Sequence, residues 1–483
     1  MFGLPAAAHP YDTSMARPTC PGCRERDAVI AGLQGQLAAL AARVRDLEQR
    51  LGQNSSNSSR PPSADPPAAP KPVVKIPSGR KPGGQPGHAA HLRRRLPPER
   101  LAEVVAFRPR HGRLCAAALP ESPQAGDPEP TWHQVAELPA LAARVTEYQG
   151  HARTCPRCGA VTHAAIPAAV RAHAAGPRLA AVLGYLAGAH RLSKRGLEEV
   201  AEAVFAAPLA LGTVSRLEGQ LGAALAAPHA EALAAVRAAA VKNVDETGWK
   251  QAGRRRWLWL AATATAAAFL VHTRRNWSAL TALLGETVTG VVGSDRWGTY
   301  NRLPVGQRQV CWAHLKRDFR KCVDRGGVAA QVGEGGLLAV REVFRLWHLF
   351  RGGGLSRAAL VARPGPVADA LHELLEAGRG CADGKAATFC GNVLAVAPAL
   401  WRFAVTEGVE PTNNHAERLL RQGVLWRRTS FGCHSEGGCR FAERLLTVVQ
   451  TLRLQGRSVL EYLGQAITAH RGGLTGPKLI AAG

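Results

Sequence analysis

Apolar side chains recur at Ile30, Leu33, Leu37, Leu40, Val44, Leu47 and Leu51. The alternating steps of three and four put them on one seam of a helix. A seam held over about three heptads predicts a short coiled coil through which the chain self-associates. A Ser/Pro-biased stretch, NSSNSSRPPSADPPAAPKP, follows and predicts a disordered spacer. The pattern turns helical again from Gly176 to about Ala240. Within it, GLEEVAEAVFAAPLALGTVSRLEGQL sets Leu197, Val200 and Val204 on one helix. A small-residue turn comes next, and then Thr213 as the cap of a second helix exposing Ser215 and Arg216. This reads as a helix-turn-helix pair, a unit that occurs both with and without DNA contact.

At residue 240 the pattern changes. AVKNVDETGW predicts a strand ending in an acid, and RRRWLWLAATAT and AAFLVHT predict two more strands. RNWSALTALLG predicts a helix with Trp277, Leu280, Leu283 and Leu284 on its apolar face, and TGVVGSDRWGTY a buried strand running into a second acid. RQVCWAHLKRDFRK then predicts a short strand leading into a basic helix. Three strands, a helix and further strands predict a mixed α/β sheet. Residues 325–405 carry Leu, Val and Trp at helix spacing and no clear strand.

Charge changes the picture most. The 483 residues hold 61 Lys+Arg against 36 Asp+Glu, a net charge of +25, which predicts a polyanionic partner. No amphipathic basic helix or lipidation signal accompanies the charge, so nucleic acid is expected and a membrane surface is not. From Lys71 to Arg113 there are eleven Lys/Arg against two Glu, with Gly and Pro breaking any helix. Arg80, Lys81, Arg93, Arg94 and Arg95 are its candidate DNA contacts, although a solvated linker has the same composition. The longest apolar run, Trp257–Val271, has 15 residues and is too short to span a bilayer comfortably. Eleven scattered cysteines and no signal peptide predict a reduced, cytoplasmic protein associated with the nucleoid.

Candidate chemistry lies in three carboxylates and a thiol pair. Asp245 and Asp295 are placed at the ends of the first and fourth strands, where both face one crevice. Acids held together repel, and a divalent cation that prefers carboxylate oxygen offsets the repulsion. A third acid lets two ions sit about 3.5–4 Å apart. Glu417, in PTNNHAERLLRQG, is eligible. The same stretch also reads as a plain helix start, with Asn414 as cap and Glu417 closing a capping box. Arg418 and Arg421 stand beside Glu417 as phosphate grips. Glu246 is left out because strand alternation points it to the opposite face. His314 and Arg317 are candidate phosphate contacts, with a core histidine as the other reading of His314. Trp249 and Trp297 either stack on an unpaired base or, as burial tendencies favour, pack in the core. CPRCG offers Cys155 and Cys158 as half a zinc site. Only His111 and Cys115 are near enough in sequence to supply more ligands, at an unusual spacing.

VDETGW, WLWLAAT, GVVGSDRWGTYN, RQVCWAHLKRDF, GVEPTNNHAERLLR and WRRTSFGCHSEGG resemble, in order, the insertion-sequence-sixty-six family of bacterial transposases. GRKPGGQPGH and CPRCG also match, so the resemblance spans nearly the whole chain. It implies an RNase H-like core with an Asp-Asp-Glu triad, which the motifs place on Asp245, Asp295 and Glu417. Two Mg²⁺ (or Mn²⁺) ions would be held there. It also implies a helical insertion between the second and third acids, and accessory proteins of the same element. The chain departs from the family where only Cys115 aligns with a Cys pair, and where a common lysine after the glutamate helix is Arg428. The domains expected are a CxxC and coiled-coil segment (1–52), a Pro/Ser-rich and basic linker (53–105) and a zinc-ribbon-like segment (106–170). A helical DNA-binding region (171–239) precedes the catalytic core (240–324 and 406–483), which the insertion (325–405) splits. The function implied is binding of terminal inverted repeats, followed by cleavage and joining to target DNA. A DNA-binding protein without catalysis, or a nuclease without strand transfer, are the alternatives.

Overall fold

The computed structural model describes residues 21–53 and 94–480. The predicted spacer, with Arg80, Lys81 and Arg93, falls largely outside the described residues. The heptad stretch forms one helix, α1 (Pro21–Leu51). Its seam is exposed throughout, from 45% at Leu47 to 80% at Leu51, so it packs on none of the other described residues. Arg94 and Arg95 are exposed, and the chain then runs without helix or strand as far as a small hairpin, apart from a turn at 98–100 and an isolated bridge between His111 and Ala118. The hairpin pairs β1 (Ala152–Thr154) antiparallel with β2 (Val161–His163).

A helical region follows: α2 (Ala168–Arg171), α3 (Pro177–Ala189), α4 (Lys194–Phe205), α5 (Leu211–Ala224) and α6 (Ala226–Ala238). The predicted helix pair is α4 and α5. Ser193 caps α4 by accepting the Gly196 N–H. Thr213 is not a cap, because α5 begins two residues earlier at Leu211 with Ala210 in the cap position.

The sheet is built from β3 (Val241–Gln251), β4 (Arg254–Ala262), β5 (Ala267–His272), β6 (Val291–Ser294) and β7 (Arg308–Val310), with α7 (Trp277–Leu284) between β5 and β6. The strand order is β5-β4-β3-β6-β7; the first three are antiparallel neighbours, and β6 and β7 run parallel to β3. Ala252 and Gly253 turn β3 into β4 with φ of 47° and 75°, the left-handed pair that matches strand twist in a two-residue hairpin. Alternation along the strands gives the sheet two buried faces. One carries Val244, Trp259 and Ala261 against Val236, Leu280 and Tyr300. The other carries Trp249, Leu258 and Leu260.

After β7 the chain is helical: α8 (Trp312–Arg325), α9 (Gly327–Arg351), α10 (Arg357–Ala362), α11 (Pro364–Arg379), α12 (Gly384–Leu394) and α13 (Arg402–Val405). These elements close over their own core, with Phe319, Val332, Leu375, Cys390 and Phe403 buried together. Three helices complete the chain: α14 (Asn414–Ser430), α15 (Glu436–Leu454) and α16 (Val459–Arg471). The second sheet face packs on Ala416 and Leu420 of α14 and on Ala442 and Leu446 of α15.

Helix α15 also satisfies the outer edge of the sheet. Val271 N–H donates to Glu443 Oε2 at 2.8 Å, Phe269 N–H to Thr447 Oγ1 at 2.9 Å, and Ala267 N–H to Thr451 Oγ1 at 3.1 Å. Four residues of helix rise about 6 Å and two residues of strand about 6.6 Å, so side chains spaced by four can serve strand N–H groups spaced by two. No helix among the described residues is long and apolar enough to cross a membrane.

Candidate active site

Asp245 does not end a strand. It lies in the middle of β3, opposite Leu260 of β4. The expectation of a strand tip fails because Thr247 and Gly248, which look like a turn in sequence, pair with Leu258 and Trp257. On the other side of β3 the ladder does stop, since β6 pairs only with residues 241–243 and ends at Ser294. Asp245 therefore stands just past the end of β6, on the same sheet face as Asp295, the next residue of that chain. The Asp295 loop is tied down. Asp295 Oδ1 accepts the Trp297 N–H at 2.9 Å, and the buried Arg308 donates to the Asp295 carbonyl at 2.8 Å and to Asn301 Oδ1 at 2.7 Å.

Glu417 arrives from about 120 residues later, in the first turn of α14. Asn413, fully buried, sets that helix on the sheet. Its Nδ2 donates to the Val244 carbonyl at 2.8 Å, its Oδ1 accepts Asn243 Nδ2 at 3.0 Å, and its N–H donates to Cys311 Sγ at 3.1 Å. The expected cap on Asn414 is absent: α14 starts at Asn414, which is exposed, and the cap position belongs to Asn413. Asn413 makes no side-chain cap bond because its amide reaches across to β3 instead. Glu417 Oε1 closes no capping box; it is buried with no hydrogen-bond partner. At the far end of α14, Arg427 donates to the Gly248 carbonyl at 2.6 Å and to Thr247 Oγ1 at 3.2 Å. Two anchors on one strand thus fix the direction of the helix that carries Glu417.

The electrostatics follow from this placement. Burial, and then the charges of Glu246, Asp295 and Glu417, hold the Asp245 carboxyl well above its ordinary range. Glu246 projects from the opposite face, as alternation predicts, and is buried. Arg275 pairs with its Oε1 at 2.7 Å, and the Tyr300 hydroxyl donates to Oε2. Burial raises the Glu246 carboxyl, and these two partners oppose the rise.

His314, with a phosphate contact and a core position as its two readings, is half-buried on α8 with Nδ1 3.4 Å from Glu417 Oε1. Burial and the nearby Arg317 lower its pKa, so it is neutral near pH 7. Cys311, His314 and Glu417 each offer a ligand atom within 4.8 Å of the others, the one such trio among the described residues. Burial pushes the Cys311 thiol up to about 11, which keeps it protonated and a poor metal ligand. Asp245, Asp295 and Glu417 do not all come within 4.8 Å of one another, although Asp245 feels the charge of both other acids. Wider spacing suits carboxylates shared between two ions, and the unpartnered Glu417 oxygen and the mutual repulsion at Asp245 both fit hard divalent cations.

Arg418, Arg421 and Arg428 are exposed along α14, and Arg216 is exposed on α5. Arg95 lies 5.7 Å from the Trp132 ring. Among the described residues the candidate zinc ligands are not brought together. Cys155 and Cys158 form a knuckle in which backbone N–H groups of Cys158 and Arg157 lower the Cys155 thiol, but Cys115 sits in a separate turn and joins no ligand group with them. That turn has Gly112 three residues before Cys115, so it offers one thiol where a zinc knuckle needs two.

Residues 173–441, more than half of the chain, match the transposase IS66 family. The chain belongs to this family. Residues 15–94 match a family of unknown function, DUF6444. An uncharacterized protein from Sinorhizobium fredii (strain NBRC 101917 / NGR234), y4qI, is 29% identical over 194 residues, covering 37% of this chain and 36% of that protein. The chain thus matches about a third of the length of that curated relative.

Proposed function

We propose that this chain is a DNA transposase of the Asp-Asp-Glu type, acting on the terminal inverted repeats of its own element. The observation that carries the reading is the convergence of Asp245, Asp295 and Glu417 on one face of the sheet, from segments separated by 50 and 122 residues. The strand order, three antiparallel strands followed by two parallel ones, supports reading the sheet as an RNase H-like core, with the helices from α8 to α13 inserted before the third acid.

The three carboxylates would hold two Mg²⁺ (or Mn²⁺) ions, which when bound acidify a nucleophile and offset charge on a phosphoryl group. The chain's own part is positioning. Arg308 fixes the loop of Asp295, while Asn413 and Arg427 fix the helix of Glu417. Arg418 and Arg421, exposed next to Glu417, are placed to grip flanking phosphates. In the first step water attacks phosphorus at the element end, and the 3′-oxygen leaves as a hydroxyl. In the second, that hydroxyl attacks a target phosphodiester in line and displaces the target's own 3′-oxygen. The helix pair α4–α5 and the basic segment supply end recognition. The exposed seam of α1 supplies self-association, and accessory proteins of the element complete the assembly.

The test uses duplexes copied from the DNA flanking the coding region, with Mg²⁺. The wild-type protein should nick at the element end and join the new 3′-end to a second duplex. Glu417→Gln should lose at least about 10³-fold in cleavage and keep its bandshift. Nicks without joining would identify a nuclease, and a bandshift alone a regulator. Cleavage surviving in Glu417→Gln would remove Glu417 from the triad.

A further inference from the structure

Trp249, Trp259 and Trp312 are each no more than 1% exposed, whereas Trp297, two residues past Asp295, keeps 41% of its surface exposed. The position is held firmly. Its backbone N–H donates to Asp295 Oδ1 at 2.9 Å, and the Arg275 guanidinium lies 4.0 Å from its ring centroid. Arg275 is itself locked by the ion pair with Glu246 and by the Trp257 ring, 4.9 Å away. The guanidinium therefore lies over both indoles, and the half-exposed one belongs to a residue whose backbone N–H is tied to the Asp295 carboxylate. Rigid aromatic surface of this kind is what unpaired nucleobases stack on, whatever their sequence.

We propose that Trp297 is the stacking platform for a nucleobase released from the duplex beside the phosphodiester held at Asp245, Asp295 and Glu417; this rests on the DNA-cleaving reading above. A partly buried carboxylate site meets a strand more readily when the local base pair opens. An indole that receives the freed base offsets the cost of opening. Stacking on an aromatic side chain contributes roughly 5- to 150-fold in affinity per base. Arg275 is the positioning residue, since its pairing with Glu246 fixes the plane it presents to Trp297.

The experiment uses the full chain with Ca²⁺ in place of Mg²⁺ and two fluorescent probes. One is a fully paired 30-base-pair duplex containing 2-aminopurine, and the other is the same duplex with that base left unpaired. Wild-type protein is expected to bind the unpaired probe at least about 5-fold more tightly and to quench its fluorescence. Trp297→Leu should lose the preference and the quenching while binding the paired probe as before, and Trp297→Phe should recover part of both. Should Trp297→Leu fail to fold, Arg275→Met, which keeps the indole but removes its planar support, should weaken the quenching at least 3-fold. Preference and quenching that persist in Trp297→Leu, or in Arg275→Met where that variant stands in, would overturn the platform. So would a wild-type protein that binds both probes equally. Failure to bind either duplex would overturn the DNA-cleaving reading itself, a different result from binding without preference.

Discussion

Asp245 shows what the fold must hold in place to keep its acids together. Its carboxyl is raised above the ~3.9 of an unfolded chain by burial and by three neighbouring carboxylates. The stability contributed by the protonated form is present below the unfolded value and lost as pH rises through the raised folded value. At pH 7, without metal, the group opposes folding, whether it stays ionised among its neighbours or must take up a proton. Asp245→Asn should therefore raise the melting temperature of the metal-free protein at pH 7 by about 3 °C or more, with a smaller gain near pH 4. Melting at or below wild type at both pH values would refute the repulsion. Asn413→Ala tests the opposite case, a residue that holds the site without entering it. It leaves the Val244 carbonyl without its Asn413 donor and loosens the start of α14. Cleavage should fall about 10²-fold with DNA affinity unchanged, and equal losses in both would mean that only folding was damaged. The three acids proposed for the site stand out in the sequence because each lies in a distinctive local run of residues. Asn413, Arg308 and Arg427 do not, because each acts across a long separation, 169 residues from Asn413 to Val244. Nothing in a single sequence marks such a pairing.

Among the elements, the long apolar and alternating runs were legible, and their ends were not. β3 runs six residues beyond its acid because the two-residue turn at Ala252–Gly253 keeps it paired with β4. The role of α15 was hidden as well, since Glu443, Thr447 and Thr451 look like the polar side of an amphipathic helix. They are buried and face β5. Thr447→Val removes the acceptor for the Phe269 N–H and should cost about 1–3 kcal/mol in urea unfolding, while Thr447→Ser should cost less. A Thr447→Val protein as stable as wild type would show that the edge has another acceptor. The α1 seam has the reverse problem, apolar residues that no other described residue covers. In a parallel pair of heptads, Arg43 falls opposite Glu48 of the second copy, which favours a dimer. Leu40→Lys should convert that dimer to monomer in light scattering without changing the melting of the sheet. A wild-type monomer would rule the seam out as a dimer contact.

Across the whole molecule, α15 joins the two regions proposed to meet DNA. Phe441, Leu445 and Val448 share one core with Val214 and Leu217 of α5, while Ala442 and Leu446 share another with Ala416 and Leu420 of α14. The helix carrying Arg216 and the helix carrying Glu417, Arg418 and Arg421 are thus packed on neighbouring faces of one buried element. A duplex bound at α5 would meet the acids at a distance set by packing. The net charge of +25 adds an attraction that does not depend on sequence. The two contributions separate in a salt titration, because each phosphate neutralised adds about 0.9 to the slope of log K against log salt. If Arg418 and Arg421 grip phosphates, replacing both with Ala should lower the slope by about 2 on the element end and on unrelated duplex alike. Arg216→Ala should instead reduce the preference for the end over unrelated DNA, with a slope change of at most about 1. An Arg216→Ala protein with undiminished preference would move end recognition away from α5 and leave the cationic surface of α14 as it stands.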